Sequence, residues 1–434
     1  MMPIHGWGRY PSVDARLDTP LTASRLKALV TGAESLIPRG MGRSYGDSAL
    51  AGHILSTRAL HHLLAFDESS GLLCCEAGAT LAELLEVFVP RGWFLPVTPG
   101  TKFVSVGGAI ASDVHGKNHH LDGCFSAFVE SLDLLLADGS RVSCSRSERS
   151  ELFHATCGGM GLTGVILAAS LRLRRVESAY IHQTTYKAEN LEAALDLFEA
   201  HHADTYSVAW IDCLASGPAL GRSLLMVGDH ARDRDLRLPR QRTLSVPFDT
   251  PAALLNRHSV QAFNALYYNR VRHAVSQQRV SYDSFFYPLD GIHHWNRLYG
   301  RKGFLQYQFV IPKSAGIEGL RSILGRIAES RRGSFLAVLK AFGPANDNLL
   351  SFPLEGYTLA LDFKWEAGLF ALLDELDERV LEQGGRLYLA KDARMSEATF
   401  KRSYPLWERL QTVREQYGAR GTFNSLQARR LGLE

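Results

Sequence analysis

Two glycine-rich stretches are the parts of this sequence best suited to chemistry. The first runs Pro38, Arg39, Gly40, Met41, Gly42, Arg43, Ser44, Tyr45, Gly46, Asp47 and Ser48. Glycine tolerates positive φ, so successive N–H groups in such a run turn into one concavity and cradle an anion. Arg43, inside a loop that already collects donors, reads as a phosphate contact. The second stretch carries Gly100 and Thr101, then Ser105, Val106, Gly107 and Gly108, then Ser112, Asp113, Val114 and His115. Its small residues predict a helix start pressed against something flat or charged, and a diphosphate suits both stretches. A third run, with Gly159, Gly161 and Gly164, matches the spacing of a dinucleotide fingerprint. That fingerprint has to leave a strand and open a helix. Here a helix precedes it and a strand follows, so the run reads as tight packing against a cofactor. Gln306 and Gln308, two residues apart, share one face of a strand. His119 and His120 have no suitably spaced carboxylate or cysteine, so no metal site is expected.

The elements that must position these groups are short. Strands are expected at 53–60 and on both sides of the Ser-Ser-Gly turn at 69–71, and a hairpin turns at Asp138 and Gly139. Leu81, Leu84, Leu85 and Phe88 recur at helical spacing, which predicts a helix over 80–89 ending at Pro90-Arg91-Gly92. ELFHATCG reads as a helix and VILAASLRLRR as the strand after it. Further on, 190–201 is helical and 207–212 a strand. Strand-like FLQYQFVIP, SFLAVLKAFGP and TLALDFK follow, then helices at 366–383 and 396–416. Between them lie a charged stretch of mixed sign, 229–242, and a basic stretch, 269–281, which read either as a solvated loop and a polar helix face or as a lid or a patch for an anionic substrate or surface. The basic stretch holds Arg270, Arg272, His273 and Arg279 and no acid.

Composition narrows the function classes. The chain has 434 residues, 46% hydrophobic and 21% charged, enough for two or three domains with real cores. A net charge of +3 implies no nucleic-acid partner. The six cysteines show no CxxC, and the first residues hold no apolar signal core, so a reduced, cytoplasmic chain is expected. No uncharged apolar run approaches the roughly 18 residues that span a bilayer.

RGMGRSYGD, PGT…VSVGGAIASDVHGKNHH and LFHATCGGMGLTGVI together resemble the vanillyl-alcohol-oxidase-like FAD flavoproteins. GWGRYPSV, FYPLD, GFLQYQFVIP, FGP, SFP, GGRLYLAKDAR and the terminal ARRL extend the likeness nearly end to end, toward the flavin oxidases of polyprenylphosphoryl ribose. The resemblance implies an α+β, two-domain, PCMH-type fold. An FAD-binding domain would comprise 1–178 and 386–434, with an antiparallel-sheet substrate domain, 179–385, inserted. It implies FAD held without a covalent bond, because Arg43 stands where covalent relatives carry the histidine that attaches the flavin. It brings His115, Ile166, Tyr388 and Lys391 to the flavin, and Gln306, Gln308, Lys340, Thr358 and Ala360 to the substrate. Mycobacterial relatives have Asn and Cys at the last two positions. Lys391, Tyr45 and His115 are the implied catalytic residues, with Lys391 stabilising reduced flavin and a developing alkoxide. Lys391, Tyr45 and water each qualify as the base.

The implied reaction oxidises the 2′-hydroxyl of a polyprenylphosphoryl-β-D-ribose to the 2′-keto sugar. An NADH-dependent short-chain reductase would complete an epimerisation, and contact with the inner face of the cell membrane would be peripheral, through the basic stretch. Two other readings stay open: an oxidase of soluble alditols or aldonolactones, and a non-catalytic flavin-binding subunit.

Overall fold

Leu305, Tyr307, Phe309 and Ile311 alternate with Gln306 and Gln308, and this period of two sets the central sheet of the molecule. In the computed structural model, which describes residues 1–239, 244–251 and 254–434, Phe304–Pro312 belongs to an eight-stranded sheet. Its strand order is Val275–Ser281, Tyr180–Ala188, Ser223–His230, Tyr206–Ile211, Ala337–Phe342, Gly356–Lys364, Phe304–Pro312, Arg386–Leu387, and neighbouring strands pair antiparallel. Helices Leu191–Ala200, Gly316–Ser330 and Leu369–Glu382 pack on one face. Tyr307, on that side, donates to Asp377 of the last helix at 3.0 Å. The opposite face, with Gln306 and Gln308, looks onto a cavity.

The glycine-rich stretches hang on two smaller sheets. Ile37–Arg39 runs parallel to His53–Ser56, beside Ser12–Asp18 and Met2–His5. A five-stranded antiparallel sheet has the order Leu63–Asp67, Leu72–Glu76, Val165–Arg172, Val129–Leu135, Arg141–Ser145. The helix expected over 80–89 is Leu81–Phe88, started by a reciprocal cap between Thr80 and Glu83. The helix expected over 396–416 is two, Glu397–Ser403 and Trp407–Gln416, because Pro405 interrupts it. The architecture is α+β.

The middle of the chain departs from the sequence reading. The basic stretch is not a helix face beyond Asn269, where helix Arg257–Asn269 ends. Val275–Ser281 is instead the edge strand of the large sheet. Polar residues on an exposed edge hide the period-two signal, and they also discourage pairing with other chains. Of the charged stretch 229–242, residues 240–242 lie outside the described residues. Its Asp233 and Asp235 bind Arg279 at 2.6 and 3.1 Å, and the Arg279 guanidinium lies 3.5 Å from the centre of the Tyr180 ring. These contacts occupy Arg279.

The C-terminal helices return to the glycine loops through a buried arginine. Arg414 is fully buried and donates to Leu162 O at 3.1 Å, Phe423 O at 2.9 Å, Gln411 Oε1 at 2.6 Å and the carbonyl of Leu433. Arg414→Ala would strand these acceptors away from water. The unfolding free energy should fall by about 3 kcal/mol or more, read by urea denaturation of the holoenzyme. A loss below about 1 kcal/mol would show that the carbonyls find other partners.

Candidate active site

The cavity, of about 770 Å3, lies between the glycine loops and the open face of the large sheet. Pro38–Tyr45, Ser48, Gly100, Thr101, Ser105, Gly107, Gly108, Ser112, Val114 and His115 line one side, with Ile166. Gln306, Gln308, Lys340 and Ala360 line the sheet side, and Tyr388 and Lys391 close one end.

The loop after strand Ile37–Arg39 offers an anion cradle. The backbone N–H groups of Gly40, Met41, Gly42, Arg43 and Ser44 have no acceptor among the described residues. Gly42 holds φ of +63°, and a Cβ on Gly40 would come within 2.1 Å of Ser105 Oγ, so both positions require glycine. Arg43 lies 4.5 Å from the Trp7 ring centre and donates to Met41 O at 3.2 Å. The helix start at Ser105 is different from expectation. Val106 and Gly107 N–H donate to Ala79 O and Ala77 O at 2.8 and 2.7 Å, and Gly108 N–H donates to Ser105 Oγ at 3.2 Å. That end lines the cavity as bare surface with its donors already used. A diphosphate therefore fits the 40–44 loop.

Five residues expected at the cofactor or substrate do not line the cavity. Gly46 packs so closely on the Asp392 carbonyl that a Cβ would lie 1.9 Å away. Asp47 is buried against Arg430, which also binds Asp392. Val106 is core. Asp113 is completely buried and accepts from Ser126 N–H at 3.2 Å, from Asn346 and Asn348 Nδ2 at 2.8 Å each, and from Ser351 Oγ at 2.7 Å. It thus ties the glycine-loop side to the segment after strand Ala337–Phe342. Thr358 is buried, donates to Phe309 O at 2.7 Å and accepts from Gln308 Nε2 at 3.2 Å, which fixes the glutamine.

Gln308 Nε2 also donates to His115 Nε2, at 3.1 Å. Burial, then Lys340, hold the imidazole well below its ordinary pKa, so His115 is neutral with its proton on Nδ1. That Nδ1 is buried and has no partner among the described residues, a donor left for a ligand. Tyr388 donates to Ser112 O at 2.9 Å and stacks on Phe352.

At the closed end, Lys391 Nζ lies 4.0 Å from the centre of the Tyr45 ring. Burial pushes this lysine down to about 7, with Asp362 opposing. Asp362 accepts from Gln306 Nε2 at 2.7 Å and Tyr299 OH at 3.1 Å, and burial raises its carboxyl to about 7. The sequence reading missed Asp362, although it lies two residues beyond Ala360 on the same strand face and pairs in register with Gln306. It also missed Lys117, Trp210 and Tyr267, all cavity residues, because nothing local marks which loop or strand residue a distant element will face.

A free amide cradle for a diphosphate, a neutral histidine donor and a buried lysine beside an open polar wall define a flavin-dependent oxidoreductase acting on a CH–OH group. The family described as FAD binding domain matches residues 19–145, and the cofactor is FAD. Decaprenylphosphoryl-β-D-ribose oxidase of Mycolicibacterium smegmatis is 39% identical over 453 aligned residues, covering 99% of this chain and 97% of that protein. An uncharacterised protein of Streptomyces coelicolor, from the mprA 5′ region, is 35% identical across 82% of this chain and its own full length. Human Delta(24)-sterol reductase is 32% identical over 114 residues, 26% of this chain and 22% of that one. The chain belongs to the decaprenylphosphoryl-β-D-ribose oxidase family.

Lys391 is charged below about pH 7 and loses its proton above it. The kcat/KM for flavin reduction, which reports groups of the free enzyme, should therefore fall as pH rises past about 7. In Lys391→Arg the guanidinium stays charged, so the alkaline limb should move upward. A limb that the substitution leaves in place would belong to another group.

Proposed function

We propose that this chain oxidises the 2′-hydroxyl of a polyprenylphosphoryl-β-D-ribose to the 2′-keto sugar, with residues 1–178 and 386–434 carrying FAD and 179–385 the substrate. The observation behind this reading is the grading of the cavity wall. Gln306, Gln308 and Lys340 on the sheet, with Lys391 at its end, make a polar part; Val338, Leu336, Trp210, Val208 and Met226 continue it as an apolar arm, with Tyr267 and Arg270 beside it and Gln183 and Gln278 beyond it. A sugar joined to a lipid matches both parts. A soluble alditol or aldonolactone would leave the apolar arm without a purpose, and a flavin-binding subunit without turnover would need neither the orphan His115 donor nor a buried lysine.

When bound, FAD supplies the acceptor for the hydride lost by the carbinol carbon. Lys391, poorly solvated at the closed end, stabilises negative charge as the hydroxyl loses its proton. Burial and Asp362 raise Tyr45 far above its usual range, so its phenol stays protonated and orients the site as a donor, leaving water to take the proton while Lys391 stays charged. Neutral His115 presents its Nδ1 proton, and Gln308, held by Thr358, fixes that tautomer. The keto product calls for a second protein, an NADH-dependent short-chain reductase, to finish an epimerisation.

The lipid has to be met at a membrane surface, since each CH2 group exposed to water costs about 0.8 kcal/mol. No helix among the described residues is long and apolar enough to cross a membrane. A peripheral contact at the inner face is the reading that suits a basic, exposed surface. Arg279 is occupied by Asp233 and Asp235, and Arg270 stacks on Tyr267, 3.8 Å from its ring centre. Arg272 and His273, with exposed Leu254 and Leu266, remain the surface for anionic headgroups.

Under anaerobic conditions, polyprenylphosphoryl ribose in anionic vesicles should bleach the flavin, faster at low salt than at high salt. Alditols and aldonolactones at equal concentration should not. Bleaching by the soluble alcohols alone would replace this reading with the other oxidase.

Arg43 cannot attack a flavin methyl, so acid precipitation should release FAD into the supernatant. Flavin fluorescence that stays with the washed pellet would mean a covalent bond.

A further inference from the structure

Two cavity lysines are left over once the flavin and the carbinol are provided for. Lys117, in the loop after His115, donates to the Phe285 carbonyl and lies 4.3 Å from the Phe285 ring centre. Lys340 stands on strand Ala337–Phe342, opposite Thr358. Its ammonium has no hydrogen-bond or ion-pair partner among the described residues; its nearest aromatic neighbour is Phe342, 5.9 Å from the ring centre. Both line the cavity. Lys340 is the one charge that perturbs Lys117, and no carboxylate offsets either of them. Burial pushes Lys117 down to about 7 and Lys340 to about 8.

The acids near the cavity are committed elsewhere. Asp362, buried behind Gln306, acts on Lys391, and Asp290 on Arg43 and Lys102. The amide cradle at 40–44 has cations of its own, Arg39 and Arg43, which line the same cavity. A diphosphate in that cradle leaves the two lysines uncompensated. His115 and His119 around them are neutral, so they add no negative charge. Two like charges turned into a poorly solvated space are destabilising unless a ligand anion joins them.

We infer that Lys117 and Lys340 form a subsite for one phosphate group, the phosphodiester that links the substrate's sugar to its lipid. This rests on the reading of the substrate as a phosphorylated sugar lipid, and it adds the contact that fixes which sugar carbon faces the flavin. A phosphodiester bound at the floor, between the polar end and the apolar arm, holds the ring at one edge and sends the lipid along Val338 and Trp210. Lys117 and Lys340 are binding residues here, and neither takes part in hydride or proton transfer.

The test uses holoenzyme with its flavin content measured, in the parent and in Lys117→Met, Lys340→Met, Lys340→Arg and the double Met variant. Exchanging a buried ammonium for an apolar chain relieves a desolvation cost, so flavin content should hold. For polyprenylphosphoryl ribose, each Met variant should raise KM by at least about tenfold with kcat within about threefold, the scale of a lost charge-assisted hydrogen bond. The loss should be larger for the phosphodiester than for a neutral alkyl riboside. Inorganic phosphate should inhibit the parent competitively and perturb its flavin absorption, with Lys340→Arg retaining both effects and the double variant losing them. An unchanged KM in both Met variants, or phosphate acting on the double variant as on the parent, would overturn the subsite. If lipid-linked ribose fails to reduce the parent but phosphate still perturbs its flavin in a lysine-dependent way, the subsite stands and the substrate reading falls.

Discussion

Five consecutive backbone N–H groups on the cavity lining, with no acceptor among the described residues, are the constraint around which this molecule is arranged. Each unmade hydrogen bond in a poorly solvated place costs about 1–3 kcal/mol, so a loop in that shape does not hold itself. The surroundings hold it. Thr57 N–H donates to Arg39 O at 3.0 Å, and the Arg39 side chain reaches His5 O at 2.7 Å and Ala49 O at 3.2 Å. Tyr45 N–H donates to Ala390 O at 3.0 Å, and Arg430 joins Asp47 to Asp392. The amino-terminal hairpin and the carboxy-terminal helices, far apart in the chain, converge on the same ten residues for this reason.

A second economy governs the rest of the cavity: charge is buried there only where a ligand or a reaction makes use of it. Asp113, with donors on all sides, and Arg414, with carbonyls on all sides, are buried charges satisfied by protein and serve as struts. The cavity lysines differ from these struts, since burial weakens their hold on a proton and little in the protein restores it. Asp362 is the exception that gives Lys391 a partial counter-charge, through a carboxylate that Gln306 and Tyr299 keep in place. The result is a wall whose electrostatics change along its length: a balanced pair beside Tyr45, an uncompensated pair beside Phe285 and Phe342, then an apolar arm. An amphipathic, anionic alcohol is the kind of molecule that such a wall orders.

Much of this was legible in the sequence, for local reasons. Glycine spacing at 40–42, the reversed order around 159–164, the Asp138-Gly139 turn and the alternation in FLQYQFVIP each follow from backbone sterics or from the period of one element. Resemblance then carried Lys391, Tyr388 and the glutamines to the cavity, where the structure also has them. What the sequence could not rank was the direction of side chains within a promising run. Asp47, Asp113 and Thr358 belong to the right segments, yet they turn away from the cavity toward Arg430, Asn348 and Phe309. The donors at the Ser105 helix start were likewise used up by Ala77 and Ala79, nearly thirty residues earlier in the chain.

By itself, the sequence determined the α+β element pattern, the anion loop and the strand faces, since each depends on neighbours a few residues apart. Tertiary structure alone decided which charges stay unpaired. Arg279 looked like part of a free basic run until Asp233 and Asp235 closed on it across the sheet edge. Lys117 carried no assignment from the sequence, and the fold sets its ammonium 4.3 Å from the centre of the Phe285 ring. The physical reason is the same for both. An ion's state depends on the solvent it loses and the counter-charge it gains, and both are set by residues far away in the chain.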